Sequence, residues 1–145
     1  MSAVADVAGS AGVLVGVGID AVDVERFARV LRRRPTLADR LFSTEERVEA
    51  ARSDDPIPLL AARFAAKEAV MKALGTGLWA FPLRDVGVLR ASDGTSTLRL
   101  GPKAAARAEQ LGVVGWHVSL TFEAPVAMAV VLAEGPPVPI ESRVP

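Results

Sequence analysis

The chain has 145 residues, half of them apolar and 23% charged, which suits one domain with a real core and is too few for two ordinary ones. Lysine plus arginine balances aspartate plus glutamate at 17 each, which argues against a strongly basic nucleic-acid binder but allows a local basic patch. There is no cysteine and one histidine, His117, so disulfide scaffolds, thiol nucleophiles and cysteine or multi-histidine metal centres within one chain are excluded. Any metal must rest on carboxylate and other oxygens, as magnesium does.

Residues 1–12 are small, include Asp6 and lack a basic run, so they read as a flexible lead-in rather than a signal peptide. Val13 to Ile19 (VLVGVGI) predicts a buried strand, and Ala21 to Arg34 a helix with Val24, Phe27, Val30 and Leu31 on one face, stopped by Pro35. Ser43 and Glu46 form a capping box that opens a second helix through Arg52, followed by a proline-containing loop from Ser53 to Pro58. The longest helix is expected over Leu59 to Leu74, rich in alanine and ended by Gly75. Val86 to Ala91 and Thr95 to Leu100 read as a hairpin around Asp93-Gly94, and Pro102 to Leu111 as a short helix with proline in its first turn. Trp116 to Phe122 and Val126 to Leu132 read as two further strands. The apolar run from Pro125 to Ala133 is about half of the ~20 residues that a membrane helix needs. Residues 136–145 carry four prolines and are expected to be irregular. The order implies a single α+β domain over residues 13–135 with an antiparallel sheet, expected in the cytoplasm and on neither a membrane nor nucleic acid.

Two acidic residues stand out by position. Asp20 closes the first strand, and Glu68 lies in the long helix among Ala65, Ala66 and Ala69. Two carboxylates on different elements, completed by phosphate oxygens, suit a magnesium site. A plainer reading also stands: Asp20 caps the next helix, and Glu68 with Lys72 is an ordinary i,i+4 pair. Gly75-Thr76-Gly77 is either a left-handed helix cap or a loop whose N–H groups approach a phosphate, in which case the dipole of the helix end makes lysines necessary. Arg26, Arg29 and Arg33 share a helix face, either solvated or a dock for an acidic partner.

Val15-Gly-Val-Gly-Ile-Asp20 with Val22-Asp-Val-Glu-Arg-Phe27, then Arg63-Phe-Ala-Ala-Lys-Glu-Ala69 with Lys72-Ala-Leu-Gly-Thr-Gly77, resemble the two signatures of holo-acyl-carrier-protein synthases, in order and separation. Trp116 to Leu120 and Ala127 to Glu134 resemble the same family, so the likeness spans about residues 13–135. The resemblance implies the 4′-phosphopantetheinyl transferase fold, an antiparallel sheet packed with a long central helix. It also implies transfer of 4′-phosphopantetheine from coenzyme A to a serine of an acyl carrier protein, releasing adenosine 3′,5′-bisphosphate. On that resemblance Asp20 and Glu68 hold Mg²⁺, and Glu68 helps remove the serine proton through a metal-associated water. Lys72 offsets diphosphate charge, and Arg63, Lys67 and Gly75, Thr76 and Gly77 lie near the coenzyme. Acyl carrier proteins are acidic and the arginine-bearing helix follows Asp20 directly, so Arg26, Arg29 and Arg33 are expected to dock the carrier protein. The family's small members are trimers with active sites between subunits, so a homotrimer is expected. The carrier protein, from fatty-acid synthesis or from a polyketide or peptide pathway, stays open.

One departure is specific to this chain. Where the family places a histidine after the Val-Ser-Leu strand, this sequence reads Thr121-Phe122-Glu123, and Phe122 neither exchanges a proton nor donates to a phosphate. Either the histidine is dispensable, Glu123 takes over a polar role, or the chain is a weakened member. A non-catalytic coenzyme A or carrier-protein binder on the same fold is the corresponding alternative function. A purely structural α+β domain would leave both signatures to chance.

Overall fold

The computed structural model describes residues 12–77, 80–137 and 139. The expected lead-in (all but Gly12), Leu78, Trp79 and most of the C-terminal tail lie outside the described residues, while Pro136 and Pro137 follow the last strand without regular structure.

β1 (Val13–Asp23) leads into α1 (Val24–Arg33), and three more helices follow: α2 (Leu37–Leu41), α3 (Thr44–Ala51) and α4 (Pro56–Ala73). After a short 3-10 turn at Leu83–Asp85 come β2 (Val86–Arg90), β3 (Ser96–Leu100), α5 (Pro102–Gln110), β4 (Gly115–Glu123) and β5 (Val126–Gly135). The α+β architecture holds, with differences in detail. β1 runs to Asp23 because Ala21, Val22 and Asp23 pair with Met128, Ala127 and Val126, and Asp23, not Asp20, caps α1 by accepting from the Arg26 N–H at 2.9 Å. α2 was not foreseen. α4 starts at Pro56 rather than Leu59, because Asp55 caps it and proline is tolerated in a first turn, where its missing N–H costs nothing.

The strands form two sheets rather than one: an antiparallel sheet in the order β1-β5-β4, and the separate β2-β3 hairpin. β5 alternates cleanly, with Ala127, Ala129, Val131 and Ala133 buried beneath α4 and Met128, Val130 and Leu132 exposed on the other face. α4 is buried nearly all round, so no polar stripe marks its outer side.

Close approach of α4 to β1 depends on two glycines. A Cβ on Gly18 would stand 1.7 Å from the Ala69 carbonyl oxygen, and one on Gly16 would stand 2.0 Å from that of Ala73. Backbone therefore packs on backbone, with Ala69 and Ala73 the helix residues at the contact. Gly18→Ala is expected to lower stability by ~1–3 kcal/mol, the usual cost of overpacking, or more because the obstacle is main chain. An unchanged urea midpoint would contradict this packing.

Candidate active site

The glycine-alanine contact sets the carboxylates side by side. Asp20 lies one residue-pair beyond Gly18 on the same face of β1, opposite Ala129. From α4, Lys72 donates from Nζ to Asp20 Oδ1 at 3.0 Å and to the Ile19 carbonyl at 2.9 Å. Glu68, one helical turn earlier, lies within hydrogen-bonding reach of the Asp20 carboxyl. Its pKa is pushed up to about 7, chiefly by burial, then by the hydrogen bond to Asp20 and by that residue's negative charge, with Lys72 pulling the other way.

Two carboxyls share a hydrogen bond only while one carries a proton. With both ionised, Asp20 Oδ2 is buried and has no partner. A hard cation between them satisfies that oxygen and removes the repulsion, so the residues present fit Mg²⁺. Among the described residues no third His, Cys, Asp or Glu joins them, so oxygens of a ligand and of water would complete the shell.

The other expected site residues divide. Lys67 departs from its expected place near the coenzyme: it is fully buried, and its three donors go to Glu46 Oε1 at 2.7 Å, the Leu83 carbonyl at 3.1 Å and the Val86 carbonyl. Burial holds its pKa below the usual lysine range against the pull of Glu46, and no donor remains for a ligand. Arg63 is also buried, donating to the Glu46 carbonyl at 2.9 Å and pairing with Glu49 at 2.9 Å, while still bordering a cleft. Glu46, read from sequence only as a capping residue, is therefore the hub of this cluster; its partner is 21 residues away, a distance at which no local pattern signals pairing.

Gly75, Thr76 and Gly77 follow α4 in a Schellman cap. Thr76 N–H bonds to the Met71 carbonyl at 3.1 Å, Gly75 N–H to that of Lys72 at 3.0 Å, and Gly75 has φ +63°. Cap geometry explains Gly75. With Lys67 committed elsewhere, Lys72 is the cation of that helix end left for an anion. Arg26, Arg29 and Arg33 are all exposed on α1, and no described residue forms an ion pair with them.

A cleft of about 620 Å³ opens at the far edge of the sheet, walled by Leu59, Ala62 and Arg63 of α4, Leu120 and Phe122 of β4, and Arg90 of β2. Arg52 and Gly94 also border it. Phe122 is 44% exposed there. Glu123 does not line the cleft, and His117 points to the opposite sheet face, where it pairs with Glu134 at 2.8 Å. Neither borders the cleft beside Phe122.

The Glu68 carboxyl has a consequence for stability. Its folded pKa of about 7 exceeds the 4.5 of the free group, so between those values the folded state holds a proton that the unfolded state has lost. Stability of the metal-free protein should therefore fall as pH rises from about 4.5 through 7, and this slope should flatten in Glu68→Gln. Urea unfolding in a chelator at pH 5 and pH 8 checks it; equal pH dependence in parent and variant would contradict the geometry.

Comparisons with known proteins give the family to which this fold belongs. The family described as the 4′-phosphopantetheinyl transferase superfamily matches residues 16–131. A holo-[acyl-carrier-protein] synthase of Streptomyces griseus is 50% identical over 125 residues, covering 84% of this chain and 99% of that protein. The crystal structure of the synthase from Neisseria meningitidis superposes with a TM-score of 0.78 at 32% identity, covering 84% of this chain and 99% of the other. A synthase from Bacillus anthracis in complex with CoA (3′,5′-ADP) superposes at 0.70 with 27% identity, covering 84% and 97%. The family match spans β1 from Gly16, all of α4 and most of the sheet beneath it, and this chain is a member of the 4′-phosphopantetheinyl transferase superfamily.

Proposed function

We propose that the chain is a Mg²⁺-dependent holo-acyl-carrier-protein synthase, acting in the cytoplasm on coenzyme A and an acyl carrier protein. The observation that carries the catalytic reading is the Asp20–Glu68–Lys72 cluster, assembled across 52 residues of sequence with one buried carboxylate oxygen unpartnered. In the reaction the serine hydroxyl oxygen bonds to the β-phosphorus of coenzyme A. The bond from that phosphorus to the bridging oxygen breaks, adenosine 3′,5′-bisphosphate leaves, and the serine proton passes to a base.

Asp20 and Glu68 would hold the cation, and when bound it neutralises charge on the diphosphate and fixes its orientation. Glu68 would also help remove the serine proton, by way of a bound water rather than by direct contact. Lys72 keeps Asp20 oriented and adds positive charge beside the diphosphate. The nucleotide portion of the coenzyme occupies the cleft, a reading supported by Arg52 and Arg90 at its border, which outnumber the carboxylates left unpaired there (Glu49 is held by Arg63), and by a volume ordinary for small-molecule sites.

A homotrimer is part of the same reading, and two features support it. The outer sheet face exposes Val17, Ile19, Met128, Val130 and Leu132, an apolar area that a second copy would cover. Asp20 stands on edge strand β1 with Glu68 beside it on α4, and the cleft lies at edge strand β4, so a neighbouring copy would bring one half-site to the other. The carrier protein would dock on the arginines of α1, directly after the strand that carries Asp20.

Incubation with coenzyme A, Mg²⁺ and an apo carrier protein should add one phosphopantetheine arm to the carrier, read by mass. Asp20→Ala or Glu68→Ala should abolish the gain while leaving helix content unchanged; retained transfer at limiting Mg²⁺ would remove them from the metal site. A non-catalytic binder would retain coenzyme A and transfer nothing. Lys72→Ala should cost less, about 1.5–3 kcal/mol for a charge-assisted contact, and parent-like turnover would exclude it. Arg26→Glu with Arg29→Glu should raise KM for the carrier protein most at low salt, with coenzyme A binding unchanged. Equal use of the carrier by this double variant would leave the arginines as a solvated face. Sedimentation should give a trimer, and a fully active monomer would overturn the shared-site arrangement.

A further inference from the structure

The cleft combines two features that no single simple ligand explains. Along β4, alternation places Trp116, Val118, Leu120 and Phe122 on the side facing α4. The first three are partly buried against the core, whereas Phe122 keeps 44% of its surface exposed at the cleft. The same cleft is bordered by Arg52, from the end of α3, and Arg90, from the end of β2, both exposed and without an ion pair among the described residues. Of the cleft's two carboxylates, Glu49 pairs with Arg63 and Asp55 caps α4. A bare phosphate would engage the arginines and leave the phenyl ring in water. An alkyl or acyl chain would cover the ring and leave the arginines without a partner. A nucleotide meets both, through its base and its phosphates.

We propose that Phe122 is the residue on which the adenine ring of the coenzyme stacks, with Arg52 and Arg90 receiving the phosphates of its adenosine 3′,5′-bisphosphate portion. The inference rests on the reading that the coenzyme's nucleotide occupies this cleft, and it gives a role to the position where the chain departs from its family's pattern. A histidine there offers N–H donors; a phenyl ring offers only an apolar π-face. Recognition at this position therefore moves from hydrogen bonding to the area and polarisability of the base. Phe122 is a specificity-determining residue in this account and takes no part in bond making or breaking.

Titration calorimetry of adenosine 3′,5′-bisphosphate and of coenzyme A with the parent, Phe122→Ala, Phe122→Leu and Phe122→Trp tests the proposal. Phe122→Ala should weaken both ligands by about tenfold or more, the range of one base–aromatic stack. Phe122→Leu should not restore affinity, and Phe122→Trp should match or exceed the parent. In the transfer assay, KM for coenzyme A should rise with Phe122→Ala by a similar factor, while kcat and KM for the carrier protein stay put. Parent-like affinity in Phe122→Ala or Phe122→Leu would overturn the stacking. A changed sedimentation coefficient with unchanged affinity would do so as well, by assigning the ring to subunit contact. Failure of the underlying reading looks different. A parent that binds neither ligand, or whose affinity is indifferent to Arg52→Ala and Arg90→Ala, would remove the nucleotide from the cleft altogether.

Discussion

Main chain packed against main chain, where α4 crosses β1, is the contact on which the rest of the structure depends. Gly16 and Gly18 leave no Cβ between the strand and the carbonyls of Ala73 and Ala69. At ordinary helix–sheet distance, side chains would stand between α4 and the strand. Here the helix sits close enough for Lys72 to reach both a backbone carbonyl of β1 and the carboxylate at Asp20, and for Glu68 to meet the same carboxylate. The arrangement carries an electrostatic cost. With both carboxyls ionised one buried oxygen has no partner, and without a cation Glu68 instead keeps its proton to about pH 7. Such local discomfort is characteristic of sites that await a charged ligand.

A second constraint works from inside the helix. Lys67 and Arg63 tie α4 to α3 through Glu46 and Glu49, and Lys67 reaches the Leu83 and Val86 carbonyls at the start of the hairpin. Glu46 closes the network by capping its own helix from the Ser43 N–H and by accepting from the Val88 N–H at 3.3 Å. Buried ion pairs of this kind contribute little net stability, because desolvation offsets the attraction. Their effect is on geometry: with all three ammonium protons and both carboxylate oxygens engaged, α3 and β2 have one allowed position against α4. These are also the elements whose ends, Arg52 and Arg90, border the cleft.

Much of this was legible in the sequence because it rests on local chemistry. The capping box at Ser43, the glycine after Leu74, the Asp93-Gly94 hairpin and the alanine-rich helix each follow from the few residues that form them. Position alone suggested Asp20 and Glu68 as a pair but favoured a cap and an i,i+4 pair, and the resemblance of both signatures turned the balance. Most of what escaped depends on distant contacts. β1 extends to Asp23 because β5 offers partners there, whereas the start of α4 at Pro56 is a local feature, the Asp55 cap, hidden by prolines that read as a loop. Lys67 turned inward because Glu46 and two carbonyls converge on it from other elements, an arrangement that sequence spacing does not encode. The cleft lies among α3, α4, β2 and β4, and none of those segments announces it alone.

The central claim is that the glycine-mediated contact builds a cation site from Asp20 and Glu68. Titration of Mg²⁺ into the protein, with and without coenzyme A, tests it most directly when parent, Asp20→Asn and Gly18→Ala are compared at a temperature where all three are folded. The account predicts Mg²⁺ binding by the parent, strengthened by coenzyme A, lost in Asp20→Asn and weakened in Gly18→Ala, whose own carboxylates are intact. Undiminished Mg²⁺ affinity in folded Gly18→Ala, or in Asp20→Asn, would contradict it.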